Sequence, residues 1–366
     1  MYQALYRKYR PKTFDEVVGQ EHITSTLKSQ VQTGKIGHAY LFTGTRGTGK
    51  TSTAKIFAKA INCLNPQMGS PCYECSVCKS LMDANNVDVI EIDAASNNRV
   101  DEIRDIREKV KFLPVNGKYK VYIIDEVHML TESAFNALLK TLEEPPPHIV
   151  FILATTEVHK LPATILSRCM RFDFHLIENH VLIDQLKKIF QAEEITCDED
   201  AYKLIAAAAE GSDRDMLSLA DCMVAYCEGN ITAQKVMDIL GNTSHDIYLK
   251  IAESIQKKDI GEAFTVLDKI EHQGKNMNIV AKDMTTTFRN LIIAKTCKDP
   301  NQILGFTNDV LNMYLDVAKD FDTNELMEDM KIFSSIESEI KFALSPKTLL
   351  ETAIVTCLTY GNQGKN

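Results

Sequence analysis

The sequence predicts an α/β module built on a parallel sheet with helices on both faces, then a small helical domain and an all-α C-terminal domain. Three observations carry that reading. Short apolar runs alternate with helical periodicity up to about residue 175, the pattern of a sheet covered on both faces. A glycine-rich loop lies between one such run and a helix. From about residue 179 no strand is evident, and apolar residues keep helical spacing almost to the end.

The first strand is Ala39-Tyr40-Leu41-Phe42, and Ser52 to Asn62 reads as the helix that follows. Between them stands Gly44-Thr45-Arg46-Gly47-Thr48-Gly49-Lys50-Thr51, with Ser52 next. This fits the phosphate-cradling pattern of Gly, four residues, Gly, Lys, Ser/Thr. Gly44, Gly47 and Gly49 let backbone N–H groups close around phosphate oxygens, and the helix N-terminus adds its dipole. Lys50 is expected as a solvent-facing ligand of the β- and γ-phosphates, and Thr51 as a ligand of Mg²⁺.

A second strand, Val87 to Ile92, ends at Asp93, and Val100 to Phe112 reads as an amphipathic helix with Ile103, Ile106 and Val110 inward. Lys120 to Glu126 is an apolar strand ending in two carboxylates. Asp125 at its tip suits Mg²⁺, and Glu126 suits polarisation of an attacking water, which favours hydrolysis over phosphoryl transfer to a second substrate. His128, two residues on, reads as structural. The helix Thr131 to Glu143 carries Phe135, Leu138, Leu139 and Leu142 at i, i+3, i+4 and i+7, and Pro145-Pro146-Pro147 stops it. Ile149 to Ala154 is another strand, ending in Thr155-Thr156. A short helix through Ile165 and Leu166 leads to Ser167-Arg168-Cys169 and a last strand, Met170 to Phe174.

Beyond it, Val181 to Glu193, Glu199 to Glu210, Ser212 to Cys227 and Ala233 to Leu240 form a compact helical set. Gly241-Asn242-Thr243 reads as a boundary, 244–360 as five or six longer helices, and 361–366 as a polar tail. The expected divisions are 1–178, 179–241 and 242–366.

The chain has 366 residues, 45% of them apolar and 25% charged, with a net charge of −9. That balance argues against a large nucleic-acid surface on this chain alone, although Arg7, Lys8, Arg10 and Lys12 offer a local basic segment. No apolar run approaches the ~18 residues of a membrane span and the N-terminus is no signal peptide, so a cytoplasmic location is expected. Ten cysteines in such a chain point to metal or free thiols rather than disulfides. Cys63, Cys72, Cys75 and Cys78 cluster as C-x8-C-x2-C-x2-C, with Gly69, Ser70 and Pro71 giving the bend. The spacing suits a structural Zn²⁺ closed by four thiolates. An iron–sulfur cluster fits less well, since the fourth ligand lies upstream and no Cys-Pro follows. Unliganded thiols are the third reading.

Together these motifs resemble the AAA+ ATPases, and within them the gamma/tau clamp-loader ATPase family of bacterial DNA polymerase III. The likeness runs the whole length, from Tyr6-Arg7-Lys8-Tyr9-Arg10-Pro11 and Val17-Val18-Gly19-Gln20 through the four-cysteine insert (63–78). It continues in Ile124-Asp125-Glu126-Val127-His128-Met129-Leu130, Leu153-Ala154-Thr155-Thr156, Ser167-Arg168-Cys169 and Gly211-Ser212-Asp213-Arg214-Asp215. The resemblance implies that Thr155 is a first sensor for the γ-phosphate or the attacking water. It implies that Arg168 is an arginine finger serving a neighbouring subunit, and that Arg214 is a second sensor on a helical lid reaching the nucleotide in cis. Ser212 and Asp215 resemble a capping box for that lid helix. Arg10, Pro11, Val17 and Val18 match the segment that frames adenine.

The implied function is an ATP- and Mg²⁺-dependent, zinc-containing ATPase subunit of the replicative clamp loader, opening the sliding clamp and loading it on primed DNA. The C-terminal helices would form an oligomerisation collar. Implied partners are other loader subunits, the sliding clamp, primer–template DNA, and the replicative polymerase and helicase through a further C-terminal region. Two rivals remain at this stage: a motor of the same superfamily such as a branch-migration helicase, and a catalytically inactive loader scaffold.

Overall fold

The computed structural model describes residues 3–83, 86–96, 108–227, 229–240, 243–272, 275–306 and 308–360. Five strands, β1 (Ala39–Thr43), β2 (Val89–Asp93), β3 (Lys120–Asp125), β4 (Ile149–Thr155) and β5 (Met170–Asp173), form one sheet in the order β2-β3-β4-β1-β5. Every pairing is parallel. The three central strands are buried on both faces except at Asp125, which is why they read as continuous apolar runs rather than alternating ones.

Alternation reappears in the packing. Ala39, Leu41, Tyr122, Ile124, Phe151 and Leu153 face one core, which the helix Glu132–Glu143 closes with Phe135, Leu138 and Leu142. Thr131 caps that helix by accepting the N–H of Ala134 at 3.3 Å. Tyr40, Phe42, Val121, Ile123, Val150 and Ile152 face the other core, covered by Lys50–Ala60 through Ala54, Ile56, Phe57 and Ala58. The same face takes Ile23 and Leu27 of a helix the sequence reading did not single out, Glu21–Thr33. Its signal is Ile23, Leu27 and Val31 at i, i+4 and i+8, with a stop at Gly34 in the left-handed region.

The helix expected over Val100–Phe112 falls largely on residues outside those described. Of its expected inward positions Val110 is buried. The tail 361–366 also lies outside the described residues.

Helices Asn179–Ala192, Glu199–Ala208, Asp213–Cys227 and Ala233–Leu240 follow the sheet. The expectation of no strand here is corrected: β6 (Thr196–Cys197) pairs in parallel with β7 (Asn230–Ile231). Two residues are too few to show a periodicity, and this pairing is made by packing of the surrounding helices rather than by local preference.

The chain divides into two compact units, Met1–Met237 and Asp238–Asn366. The second, by itself, holds six longer helices among the described residues and the short Asn301–Leu304. Its core centres on Phe288, Phe333 and Tyr314, with the Phe288 and Phe333 rings stacked 5.5 Å apart.

Candidate functional site

The glycine loop connects β1 to the helix Lys50–Ala60 at the C-terminal edge of the sheet. Two glycines are required by space. A Cβ on Gly44 would stand 2.3 Å from the Phe174 carbonyl oxygen, and one on Gly47 would stand 1.8 Å from Ser212 Oγ. The second contact brings the helix Asp213–Cys227 down onto the loop. Thr48 Oγ1 donates to the Thr45 carbonyl at 2.9 Å and tightens the turn, leaving Thr45 and Arg46 exposed.

Lys50 corrects one expectation. It is only 6% exposed, and its ammonium donates to the carbonyls of Gly44 and Thr45 at 2.8 Å each. The loop curls over the side chain, so the lysine is part of the packing. Burial lowers its pKa, opposed by the nearby carboxylates of Glu126 and Asp125.

Thr51 Oγ1, in the first turn of the helix Lys50–Ala60, donates to Asp125 Oδ2 at the end of β3, at 2.7 Å. A hydroxyl and a carboxylate oxygen meeting at this distance are hard oxygen donors of the kind Mg²⁺ takes. Asp125 Oδ1 accepts the N–H of Glu126 at 3.0 Å. Glu126 itself has a left-handed backbone, φ +47°, unusual for a non-glycine residue. Its carboxylate accepts the N–H and hydroxyl of Thr156 at 3.3 and 3.0 Å.

Thr155, fully buried at the end of β4, has its hydroxyl 3.0 Å from His128 Nδ1 and accepts the N–H of Glu157 at 3.0 Å. His128, expected to be structural, makes three polar contacts here. It touches Thr155, Glu157 (Nε2 to carboxylate, 3.0 Å) and Glu126 (3.4 Å). Its sequence neighbourhood gave no hint, because two of its three partners arrive from a different strand end.

A cavity of about 450 Å³ opens beside the loop. Gly47, Gly49, Lys50, Thr51 and Ser52 line it from the loop, Tyr6, Arg7, Tyr9, Arg10 and Pro11 from the N-terminal segment, and Asp213, Arg214 and Leu217 from the helix above. Arg10 Nε donates to Ser52 Oγ at 3.2 Å. Val17 is buried beside Gly49 and Val18 is half-buried, and neither is among the lining residues. The Arg214 guanidinium lies 5.7 Å over the Tyr6 ring. Ser212 Oγ accepts the N–H of Asp215 at 3.2 Å, one half of the expected capping arrangement.

Asp213 was not foreseen: its Oδ1 is buried without a hydrogen-bond partner, and burial pushes its pKa up to about 6. Arg168 is not among the cavity's lining residues. It follows the helix Ala163–Leu166 and donates to the Thr164 carbonyl at 2.9 Å and to the Glu143 carboxylate at 2.8 Å.

The four insert cysteines converge, with all four Sγ atoms within 4.8 Å of one another. A tetrahedral zinc with Zn–S near 2.3 Å needs sulfurs about 3.8 Å apart, so the set fits such an ion. Backbone N–H groups already point at the sulfurs: Cys72 at Cys63 (3.3 Å), Cys75 at Cys72 (3.4 Å) and Cys78 at Cys75 (3.3 Å). Burial works to raise the Cys75 thiol, but the N–H groups of Cys78 and Leu64 and the thiols of Cys78 and Cys72 prevail and lower it to about 6. No helix of the described residues is long and apolar enough to cross a membrane.

Three family models cover most of the chain: "DNA polymerase III, delta subunit" over 19–178, "DNA polymerase III clamp loader subunit, ATPase lid domain" over 182–229, and "DNA polymerase III subunits gamma and tau domain III" over 231–361. The Bacillus subtilis DNA polymerase III subunit tau is 46% identical over 97% of this chain and 63% of its own length. The Buchnera aphidicola DNA polymerase III subunit gamma is 36% identical over 98% of this chain and 99% of its own. The chain thus spans less than two thirds of several longer curated relatives, 63% of the Bacillus protein and 42% of the Escherichia coli tau subunit. Among solved structures, the Thermotoga maritima RuvB Holliday junction branch migration motor matches at 20% identity and a TM-score of 0.48, covering 66% of this chain and 79% of that one.

Two outcomes follow from this geometry. Asp213 has a folded pKa of about 6 against an ordinary 3.8, so its protonated form favours the fold, and the cost of ionising it is absent below both values and complete above both. Asp213→Asn should therefore raise the thermal midpoint of the nucleotide-free protein at pH 7 and leave it nearly unchanged at pH 3.5, measured by calorimetry at both. For the cysteines, elemental analysis should find about one zinc per chain. Cys75→Ser should lower that content and increase proteolysis within 63–78, while ATP affinity stays close to that of the parent.

Proposed function

Because the chain belongs to the gamma/tau family of DNA polymerase III clamp-loader subunits, we propose that it binds and hydrolyses MgATP to drive loading of a sliding clamp onto primed DNA. The observation that carries this reading is the Thr51–Asp125 hydrogen bond at 2.7 Å with Lys50 beside it. An inactive scaffold has no need of that intact constellation. The loop amides and Lys50 would hold the β- and γ-phosphates, and Thr51 and Asp125 would hold Mg²⁺. The metal would neutralise charge on the phosphate oxygens. The sugar and base would lie toward Tyr6, Tyr9, Arg10 and Pro11, with Val17 and Val18 supporting that segment from behind. Arg214 would reach the phosphates from the lid.

Glu126 would orient the attacking water, and Thr155 would complete its placement. Arg168 would act on a neighbouring subunit's nucleotide, since it is directed to Glu143 rather than to this chain's own cavity. Zinc would hold the 63–78 insert and take no part in the reaction. Other loader subunits and the clamp are the nearest partners. Primer–template DNA is the next, followed by the replicative polymerase and helicase. For nucleotide to drive the cycle, clamp and DNA must bind differently before and after hydrolysis.

Two variants test this. Lys50→Ala should lose ATP binding or hydrolysis, measured by calorimetry and phosphate release, with far-ultraviolet circular dichroism checking the fold because Lys50 is buried. Turnover near that of the parent would sink the assignment. Arg168→Ala should bind ATP normally as an isolated chain. In the assembled loader it should depress clamp- and DNA-stimulated hydrolysis by on the order of 10³-fold where chemistry limits the rate. If it instead loses ATP affinity as a monomer, the role in trans is wrong.

A further inference from the structure

We propose that His128 is a positioning residue that fixes the Thr155 hydroxyl as a hydrogen-bond acceptor for the attacking water. The inference rests on the ATPase reading above and adds to it a specific task for one side chain. Lys160, beside Glu157, holds the Glu157 carboxyl below its usual range, so this group accepts and does not donate. His128 Nε2, 3.0 Å from Glu157 Oε2, then carries a hydrogen. With the ring neutral, as this proposal requires, Nδ1 is left as an acceptor.

Two groups face Nδ1. The Glu126 carboxylate, at 3.4 Å, has no hydrogen to give. The Thr155 hydroxyl, at 3.0 Å, has one. A hydroxyl has one hydrogen and two acceptor sites. With that tautomer the Thr155 hydrogen goes to His128 Nδ1 at 3.0 Å, and one acceptor site takes the Glu157 N–H at 3.0 Å. What remains is a single acceptor site, held in place because the side chain is fully buried and the ring beside it is only 7% exposed.

Such an acceptor has a clear use. A water with both hydrogens given to acceptors, one to Thr155 and one to the Glu126 carboxylate, must point a lone pair elsewhere, toward the γ-phosphorus. Its oxygen then bonds to phosphorus as the bond to the β–γ bridging oxygen breaks, ADP departs with that electron pair, and a water proton passes to Glu126. Without His128 the hydroxyl rotates, offers its hydrogen to the water or to a phosphate oxygen, and the water loses its second anchor. Misplacement of a reacting group on this scale costs on the order of 10²-fold.

The test is single-turnover ATP hydrolysis by the chain assembled with its partner loader subunits and primed DNA, alongside calorimetric ATP and ADP binding to the chain alone. His128→Ala should slow hydrolysis about 10²-fold and leave the ratio of ATP to ADP affinity unchanged. His128→Asn, whose Oδ1 stands near the place of Nδ1, should restore a good part of the rate. His128→Gln, whose amide reaches toward Nε2, should not. In a Thr155→Val background, His128→Ala should cause little further loss, because both changes remove the same anchor.

An undiminished rate in His128→Ala overturns the proposal, as does full additivity with Thr155→Val. A selective fall in ATP affinity also overturns it, since Thr155 would then be a donor to the γ-phosphate. Where the parent chain itself binds no ATP, the ATPase reading falls together with this one. Where the parent turns over and only these variants behave otherwise, the role of His128 alone is wrong.

Discussion

The site depends on one feature of the sheet: β4 lies between β1 and β3. The glycine loop leaves the end of β1 and the two carboxylates stand at the end of β3, so neither strand reaches the other by hydrogen bonding. β4 joins them in parallel register, Thr43 beside Thr155 on one side and Ile124 beside Leu153 on the other. All three strand ends therefore finish on one edge. Thr155 is left between the loop and the acids, and Thr51 is near enough to donate to Asp125. The apolar cores on both faces, Leu41, Ile124 and Leu153 on one and Phe42, Ile123 and Ile152 on the other, hold that register. A slip of one residue would exchange the two faces and separate the strand ends. Chemistry at the edge is thus fixed by packing in the middle.

What could be read from the sequence was whatever sits within one local string. The glycine loop, the Asp125-Glu126 pair and the four cysteines each combine residue type and spacing in fewer than twenty residues, and the structure brings each set together. The central strands were legible for the same reason, being short continuous apolar runs. Relations across the sheet were not legible. His128 meets Thr155 and Glu157 only because β4 brings them alongside. Lys50 is buried because the loop folds back over it, which no spacing rule reports. The pairing of Thr196–Cys197 with Asn230–Ile231 joins two residues to two across a separation of more than thirty positions, below the reach of any periodicity.

The contacts of Glu126 and Arg168 share a character. Glu126 keeps an unusual backbone conformation and gives its carboxylate to Thr156. Arg168 gives its guanidinium to Glu143 on its own chain. On the reading proposed, both groups must exchange these partners before a phosphoryl group can be transferred to water. An ion pair as exposed as Arg168–Glu143 is worth little, about 1 kcal/mol or less, so it opposes such an exchange only weakly. The Thr156 contact is a charge-assisted hydrogen bond and resists somewhat more. On that reading the chain would be complete for holding nucleotide and incomplete for splitting it. That is the condition for hydrolysis to await assembly.

The upper wall of the cavity gives the same division a physical basis. Ser212 comes so close to Gly47 that no side chain larger than hydrogen fits at that position, and Tyr6 carries Arg214 on its ring. Loop, N-terminal segment and lid helix therefore meet at one small volume, and a molecule that touches all three ties them together. Asp213 works against that closure, since an ionised carboxylate whose Oδ1 is buried without a partner is costly. The Arg214–Tyr6 contact and the Ser212–Gly47 approach are thus held at neutral pH against an electrostatic cost. A lid helix balanced in this way responds to a modest change in what occupies the cavity, because an exposed cation–π contact contributes only about 1 kcal/mol. Nucleotide with and without its γ-phosphate would differ by a charged group near Lys50 and Arg214. On the proposed reading, that difference is large enough to tip the balance.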